Sequence, residues 1–474
     1  MFLGFQTHFW DQYFFDHAIN NIAQGKGWTM NHHFNYAHFF TLHFQPAYYL
    51  LVPFYLIKAT PFWIFFIQSL CLVLSLVPII KYSKKIAPHI KNIGLKAILF
   101  TFFIYVPFRS GNLTYLHSEV FIMPIFAWIS YYILIGKIKK GLLLSLILPF
   151  FKENIIVYYF GISAFLLFKR KFKLAFGLGI FGIIITVIIV KGLMPLFGLA
   201  DYYHLNRFSY LNPTSVGDVL IKMALNPDLV VQNLLSKKVT DYLLGIFGLL
   251  CFFPLFSSST LLATGVLLQN CLSDHWSMLN FISHYSMAII PVLIMASIDT
   301  LSKLTKNITP LKSKLIILCK GFLILFIILN SLFFIALELR TFIITKPFME
   351  MRKNLKIIPE HASVCASQKI IPHFFYRDKI SEFSLCNNED YLFLEKIDPY
   401  FPINEKTERF IAKEWANGDR VKLIWKLILG ERQSKRAPYQ KVLDEAANNK
   451  NYQLIKEGER FLIYKRFELS KDER

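Results

Sequence analysis

Long apolar runs separated by short basic clusters fill the first 340 or so residues, and beyond Lys346 the pattern changes to dense charge with no further spanning run. A helix rising about 1.5 Å per residue needs roughly 20 apolar residues to cross a hydrocarbon core about 30 Å thick, although packed multi-span proteins also use shorter pieces. That measure predicts embedded segments at 62–80, 95–108, 118–136, 141–151, 154–168, 173–193, 241–255, 257–271, 283–299 and 315–338. After residue 346 the pattern predicts a strand over Ala362–Ala366, a short helix over Gln368–Phe375 and a strand over Asp390–Leu394. A helix over Tyr439–Ala447 follows, then a hairpin over Tyr452–Phe467 with Glu457 and Gly458 at its turn. The predicted fold is mainly α: a polytopic membrane helix bundle with a small external α/β domain at the C-terminus. Its expected divisions are a first external loop (1–46), the bundle (47–339) with an external loop (194–240), and the soluble domain (340–474).

The basic residues orient this arrangement. Lys81, Lys84, Lys85, Lys91 and Lys96 share one loop; Lys137, Lys139 and Lys140 another; Lys169, Arg170, Lys171 and Lys173 a third; and Lys303, Lys306, Lys312 and Lys314 a fourth. Positive charge is retained on the cytoplasmic side, and it falls here on alternate loops. The hairpin around Pro254 should be cytoplasmic too, yet carries no base, and is the weakest part of the count. The orientation places residues 1–46, the loop 194–240 and everything after about 340 outside a cell membrane, together with every histidine except His89.

Composition supports a lipid environment: 54% of the residues are hydrophobic, 48 are Phe, and the mean hydropathy is +0.42, more apolar surface than a water-soluble chain of this length can hide. The net charge of +21 would ordinarily raise nucleic acid as a partner, but its confinement to short loops fits an anionic membrane face instead. The six cysteines have no metal-finger spacing. Cys365 and Cys386 could pair across a short loop in an oxidising compartment.

Candidate chemistry gathers on the external side. The first 46 residues carry Asp11, Asp16 and six histidines, among them His43. For any one histidine a wet interfacial position is explanation enough, whereas an acid kept close to lipid must face a cavity or a partner. Lys152 and Glu153 interrupt an otherwise apolar stretch from 141 to 168, leaving halves too short to span, so both are expected below the external interface, facing a cavity, a bound ion or each other. His117 and Glu119 open one segment, His284 and Tyr285 another, and Arg207 lies near Tyr202, Tyr203 and His204 in the long loop. No P-loop, zincin or nucleophile-elbow motif occurs, and no internal repeat is visible.

Several of these stretches, taken in order, resemble one family. They are Trp10-Asp11 followed by Ala18-Ile19-Asn20-Asn21-Ile22-Ala23-Gln24-Gly25-Lys26-Gly27; His43-Phe44-Gln45-Pro46 leading to Pro53-Phe54-Tyr55 and Gln68; His117-Ser118-Glu119; Lys152-Glu153-Asn154; Ser283-His284-Tyr285; and Ile358-Pro359 through Ser363-Val364 to Pro372-His373. The set resembles the membrane proteins grouped as domain of unknown function 2079, which are similar to glycosyltransferases of the C-type membrane fold. That resemblance implies a glycosyltransferase whose donor is a polyprenyl-phosphate sugar held in membrane lipid, whose acceptor is external and unspecified, and whose general base is Asp11. Lys152, His284 and Arg207 would then face the donor phosphate, with His43, His117, Glu119, Glu153 and Tyr285 around them. Asp11 and Glu119 could hold a divalent metal, although no spacing demands one. The chain departs from the pattern in two places: a spanning helix is expected before Asp11, where only ten residues stand, and His17 replaces a common Gln. A reading from another class is a non-catalytic transporter or lipid-binding scaffold whose soluble domain recognises a partner.

Overall fold

The structure, a computed structural model, describes residues 9–29, 38–88, 105, 107–108, 117–198, 203–305, 328, 331–332, 346–382, 386, 388–396 and 443–467. The expected segments 95–108 and 315–338 fall almost wholly outside them. The chain divides into two compact units, one made of Met1–Phe39, Val52–Thr60 and Ile335–Arg474, the other of Phe40–Leu51 and Pro61–Phe334.

In the first unit the N-terminal stretch, expected as a loop, contains a helix over Phe9–Ala23. Its sequence has no Gly or Pro, and its polar residues fall four apart, so that Gln12 meets Asp16 and Asn21 Nδ2 donates to His17 Nε2 at 3.0 Å. The helix stops where Gly25 and Gly27 take left-handed backbone angles, φ 76° and 71°. His17 Nδ1–H donates to the carbonyl of Phe375 at 2.8 Å, and Lys26 pairs with Asp378 at 2.6 Å, so this helix is tied to the C-terminal part of its own unit.

That part is a five-stranded sheet of β1 (Val364–Ala366), β2 (Ile380–Glu382), β3 (Tyr391–Glu395), β4 (Tyr452–Glu457) and β5 (Phe461–Arg466), ordered β2-β1-β3-β5-β4. β1 is parallel to β2 and β3, while β3/β5 and β4/β5 are antiparallel. The predicted strands and hairpin are present; β2, only three residues long, has no alternation to reveal it. Arg377 closes the end of β1 by donating to the carbonyls of Ile358, Pro359, Glu360 and Ala362. Cys365 on β1 is joined to Cys386, with Cα atoms 5.8 Å apart, beside Leu392, Leu394 and Tyr464.

The second unit is helical. Among the described residues three helices are long and apolar enough to cross a membrane, Phe62–Ile86, Phe172–Phe197 and His284–Leu304; Pro46–Ile57 in part, Ser118–Leu134 and Ile156–Phe168 are shorter apolar helices. Other expected segments are broken. The stretch 141–151 holds a helix over Ile138–Ser145 and a 3-10 turn over Leu148–Phe150, interrupted at Pro149. The stretch 241–255 is interrupted by left-handed Cys251 and Phe252, followed by Pro254. The region 194–240, expected as a loop, carries helices over Val216–Leu225, Pro227–Leu234 and Lys237–Leu243. Their starts are local: the Ser215 and Ser236 side chains accept from the backbone N–H of Asp218 and Val239, and Pro227 occupies a first helical position.

Among the described residues, two glycines mark a close backbone approach in this unit. A Cβ on Gly265 would stand 1.7 Å from the Val157 carbonyl oxygen, and one on Gly161 would stand 2.3 Å from that of Leu262, so the Ile156–Phe168 helix lies with its backbone against the 258–272 segment. Elsewhere in the same unit, Asp299 receives the hydroxyls of Tyr82, Ser257 and Ser259, which satisfy its carboxylate.

Candidate functional site

Four breaks in the helical pattern of the second unit bring charged side chains together. His117 is extended (φ −133°, ψ 150°) and precedes the Ser118–Leu134 helix, which puts Glu119 in the first turn, where the helix dipole favours an anion. The turn between Leu148–Phe150 and Ile156–Phe168 presents Lys152 and Glu153. A 3-10 helix over Tyr203–Leu211 carries His204 and Arg207, and another over His284–Ile289 carries His284 and Tyr285. The loop before Pro46 adds His43.

Lys152 and Glu153 are both buried, at 2% and 0% exposure, and they do not pair with each other. The ammonium of Lys152 pairs with Glu119, itself buried, and Ser118 and Gln45 extend that contact: Gln45 Nε2 donates to Ser118 Oγ at 2.9 Å. Glu153 turns the other way. Its Oε1 lies 2.8 Å from His43 Nδ1 and 3.9 Å from His204 Nε2, and its Oε2 accepts the Phe44 backbone N–H at 3.2 Å. Adjacent residues in sequence thus serve two neighbouring clusters. The His43 and His204 rings stack at 4.7 Å, and the His117 and His284 rings at 3.3 Å.

Tyr285 lies where the cations meet. Lys152 Nζ is 5.6 Å and Arg207 Cζ 5.1 Å from its ring centroid, and Arg207 Nη2 donates to its hydroxyl at 3.1 Å. Arg207 is 8% exposed, yet among the described residues no carboxylate lies within ion-pair distance of its guanidinium. The nearby Asp274 is committed elsewhere, accepting from the N–H and hydroxyl of Ser209. Burial, reinforced by the charge of Arg207, holds His204 well below its usual value, so its imidazole is neutral near pH 7.

The structure therefore brings together His43, His117, Glu119, Lys152, Glu153, Arg207, His284 and Tyr285. Asp11 is in the Phe9–Ala23 helix of the other unit, its side chain outside the described residues. Sequence reasoning placed His204 in the long loop without a role. Its spacing of three from Arg207 within one helical turn was the available signal, hidden because the stretch read as loop.

An apolar helical unit with helices long and apolar enough to cross a membrane and a buried cluster of ionisable side chains fits a membrane protein with a polar interior site. The chain belongs to the DUF2079 family, described as predicted membrane proteins, which it matches over residues 3–415. No curated protein and no solved structure matches it.

Proposed function

We propose that this chain is a polytopic glycosyltransferase of the cell membrane that moves a sugar from a polyprenyl-phosphate donor to an external acceptor. One observation carries the reading. Arg207, buried and bonded to a tyrosine hydroxyl instead of a carboxylate, stands with Lys152 over the ring of Tyr285. A guanidinium kept out of water calls for an anion, and a phosphate matches its fork. A lipid-linked phosphate would reach such a site from the bilayer while its chain stays among the helices. The acceptor hydroxyl attacks the anomeric carbon, the bond to phosphate oxygen breaks, and the leaving phosphate takes up the charge beside Lys152 and Arg207. A single displacement inverts the anomeric centre. The resemblance to C-type-fold transferases assigns the acceptor's proton to Asp11. The external placement of the C-terminal domain has support from the basic loops and from the Cys365–Cys386 bond, which persists in oxidising compartments.

The test is consumption of a radiolabelled polyprenyl-phosphate sugar by the purified chain in proteoliposomes. Asp11→Asn should keep donor binding and cut turnover by roughly 10² to 10⁴, the range for loss of a general base. Lys152→Met, which keeps the stem and removes the charge, should weaken donor binding. Flux of substrate across the vesicle without donor consumption would establish the transporter reading instead.

A further inference from the structure

We propose that His43, Glu153 and His204 form a binding site for a divalent transition-metal ion of the zinc class. The three residues come from well-separated segments: the loop before Pro46, the turn between Leu148–Phe150 and Ile156–Phe168, and the Tyr203–Leu211 helix. Their ligand atoms lie within 4.8 Å of one another. His43 Nδ1 stands 2.8 Å from Glu153 Oε1, and His204 Nε2 stands 3.9 Å from the same oxygen. The longer distance is beyond a hydrogen bond. Ligands held about 2.0–2.1 Å from a tetrahedral zinc ion are about 3.3 Å apart, between those two values.

The donor chemistry agrees with the geometry. Two imidazoles and one carboxylate are the protein ligands of a zinc site that keeps a fourth position open. The Phe44 N–H holds Glu153 Oε2, which orients the carboxylate and leaves Oε1 toward the imidazoles, as an outer-shell bond does in built metal sites. His43 keeps 21% of its side chain accessible, which gives an ion and a fourth ligand a way in. Two other groups come within similar range. In one, His117, Glu119 and His284, the carboxylate is already engaged by the Lys152 ammonium. In the other, Cys365, Cys386 and Glu389, both sulfurs are spent in a disulfide.

This site does not depend on the transferase reading, because metal binding is measured without any donor. The full chain, purified in detergent and stripped with a chelator, is titrated with zinc against a chromophoric chelator. A single zinc per chain is expected. Glu153→Gln and His204→Ala should weaken it by more than the roughly 10- to 100-fold that loss of an outer-shell partner costs, while His275→Ala keeps wild-type affinity. Zinc binding equal to wild type in Glu153→Gln or His204→Ala overturns the site, as does the absence of stoichiometric zinc in the wild-type chain. Should both variants fail to fold, X-ray absorption of zinc bound to the wild-type chain decides: two imidazoles with one oxygen from protein support the assignment, and an oxygen-only shell refutes it.

Discussion

Asp16 has no exposed surface, and its carboxylate receives the Tyr55 hydroxyl and the Gln12 amide. Burial outweighs those two bonds and pushes its pKa up to about 7. A carboxyl raised in the folded chain above its unfolded value of 3.8 stabilises the fold fully below that value, and the contribution is lost as pH rises toward 7. The thermal midpoint of the wild-type chain should therefore fall between about pH 4 and pH 7 by more than that of Asp16→Asn, whose profile over the same window should be flatter. Parallel profiles in a scanning fluorimeter would remove Asp16 as the source. At this scale the sequence was informative about which residues to watch. Lys152 and Glu153 cut an apolar stretch, and His117, Glu119, His284 and Tyr285 stand where apolar segments begin, places where charge near lipid is costly without a partner. The partners themselves were not legible. Lys152 chooses Glu119 over its own neighbour because the turn points adjacent side chains apart, and that direction is a property of the assembled unit.

Between elements, the clearest constraint is the glycine contact of the Ile156–Phe168 helix with the segment around Gly265. Gly265→Ala would drive a methyl into the Val157 carbonyl, a backbone atom that cannot rotate away, so the two segments must separate. The expected loss exceeds the roughly 1–3 kcal/mol of ordinary overpacking. Gly177→Ala is the matched control, since nothing lies within 4 Å of the methyl it would add. A midpoint for Gly265→Ala equal to that of Gly177→Ala would show that the contact is slack. Neither glycine could be singled out from sequence, because close approach depends on the partner backbone. The strands after Ala362 were readable as short apolar runs, and the hairpin from Gly458 at its turn. The helices within 194–240 were not, since each is short, and their starts, two serine caps and Pro227, suit a loop equally well.

For the whole chain, the alternation of basic loops makes a test of orientation. In a variant whose other cysteines are serine, a cysteine placed at Lys84 should be protected from a membrane-impermeant thiol reagent in intact cells, whereas Cys386, freed by replacing Cys365, should react. Reaction at position 84 alone would invert the orientation. The first unit holds a different consequence. Its opening helix is tied through His17 to Phe375, a partner 358 positions later in the chain. At about 5–20 residues per second, a ribosome needs roughly 20 to 70 s to cover that distance. Throughout that interval the Phe9–Ala23 segment has been made and the turn around Phe375 that it docks on has not. Termination before β5 would leave that segment with an unfinished sheet, so nonsense mutations even in the last 20 residues before Phe461 should be read in the cell as misassembly of the N-terminus, detectable as new protease sensitivity around Gly25 and Gly27.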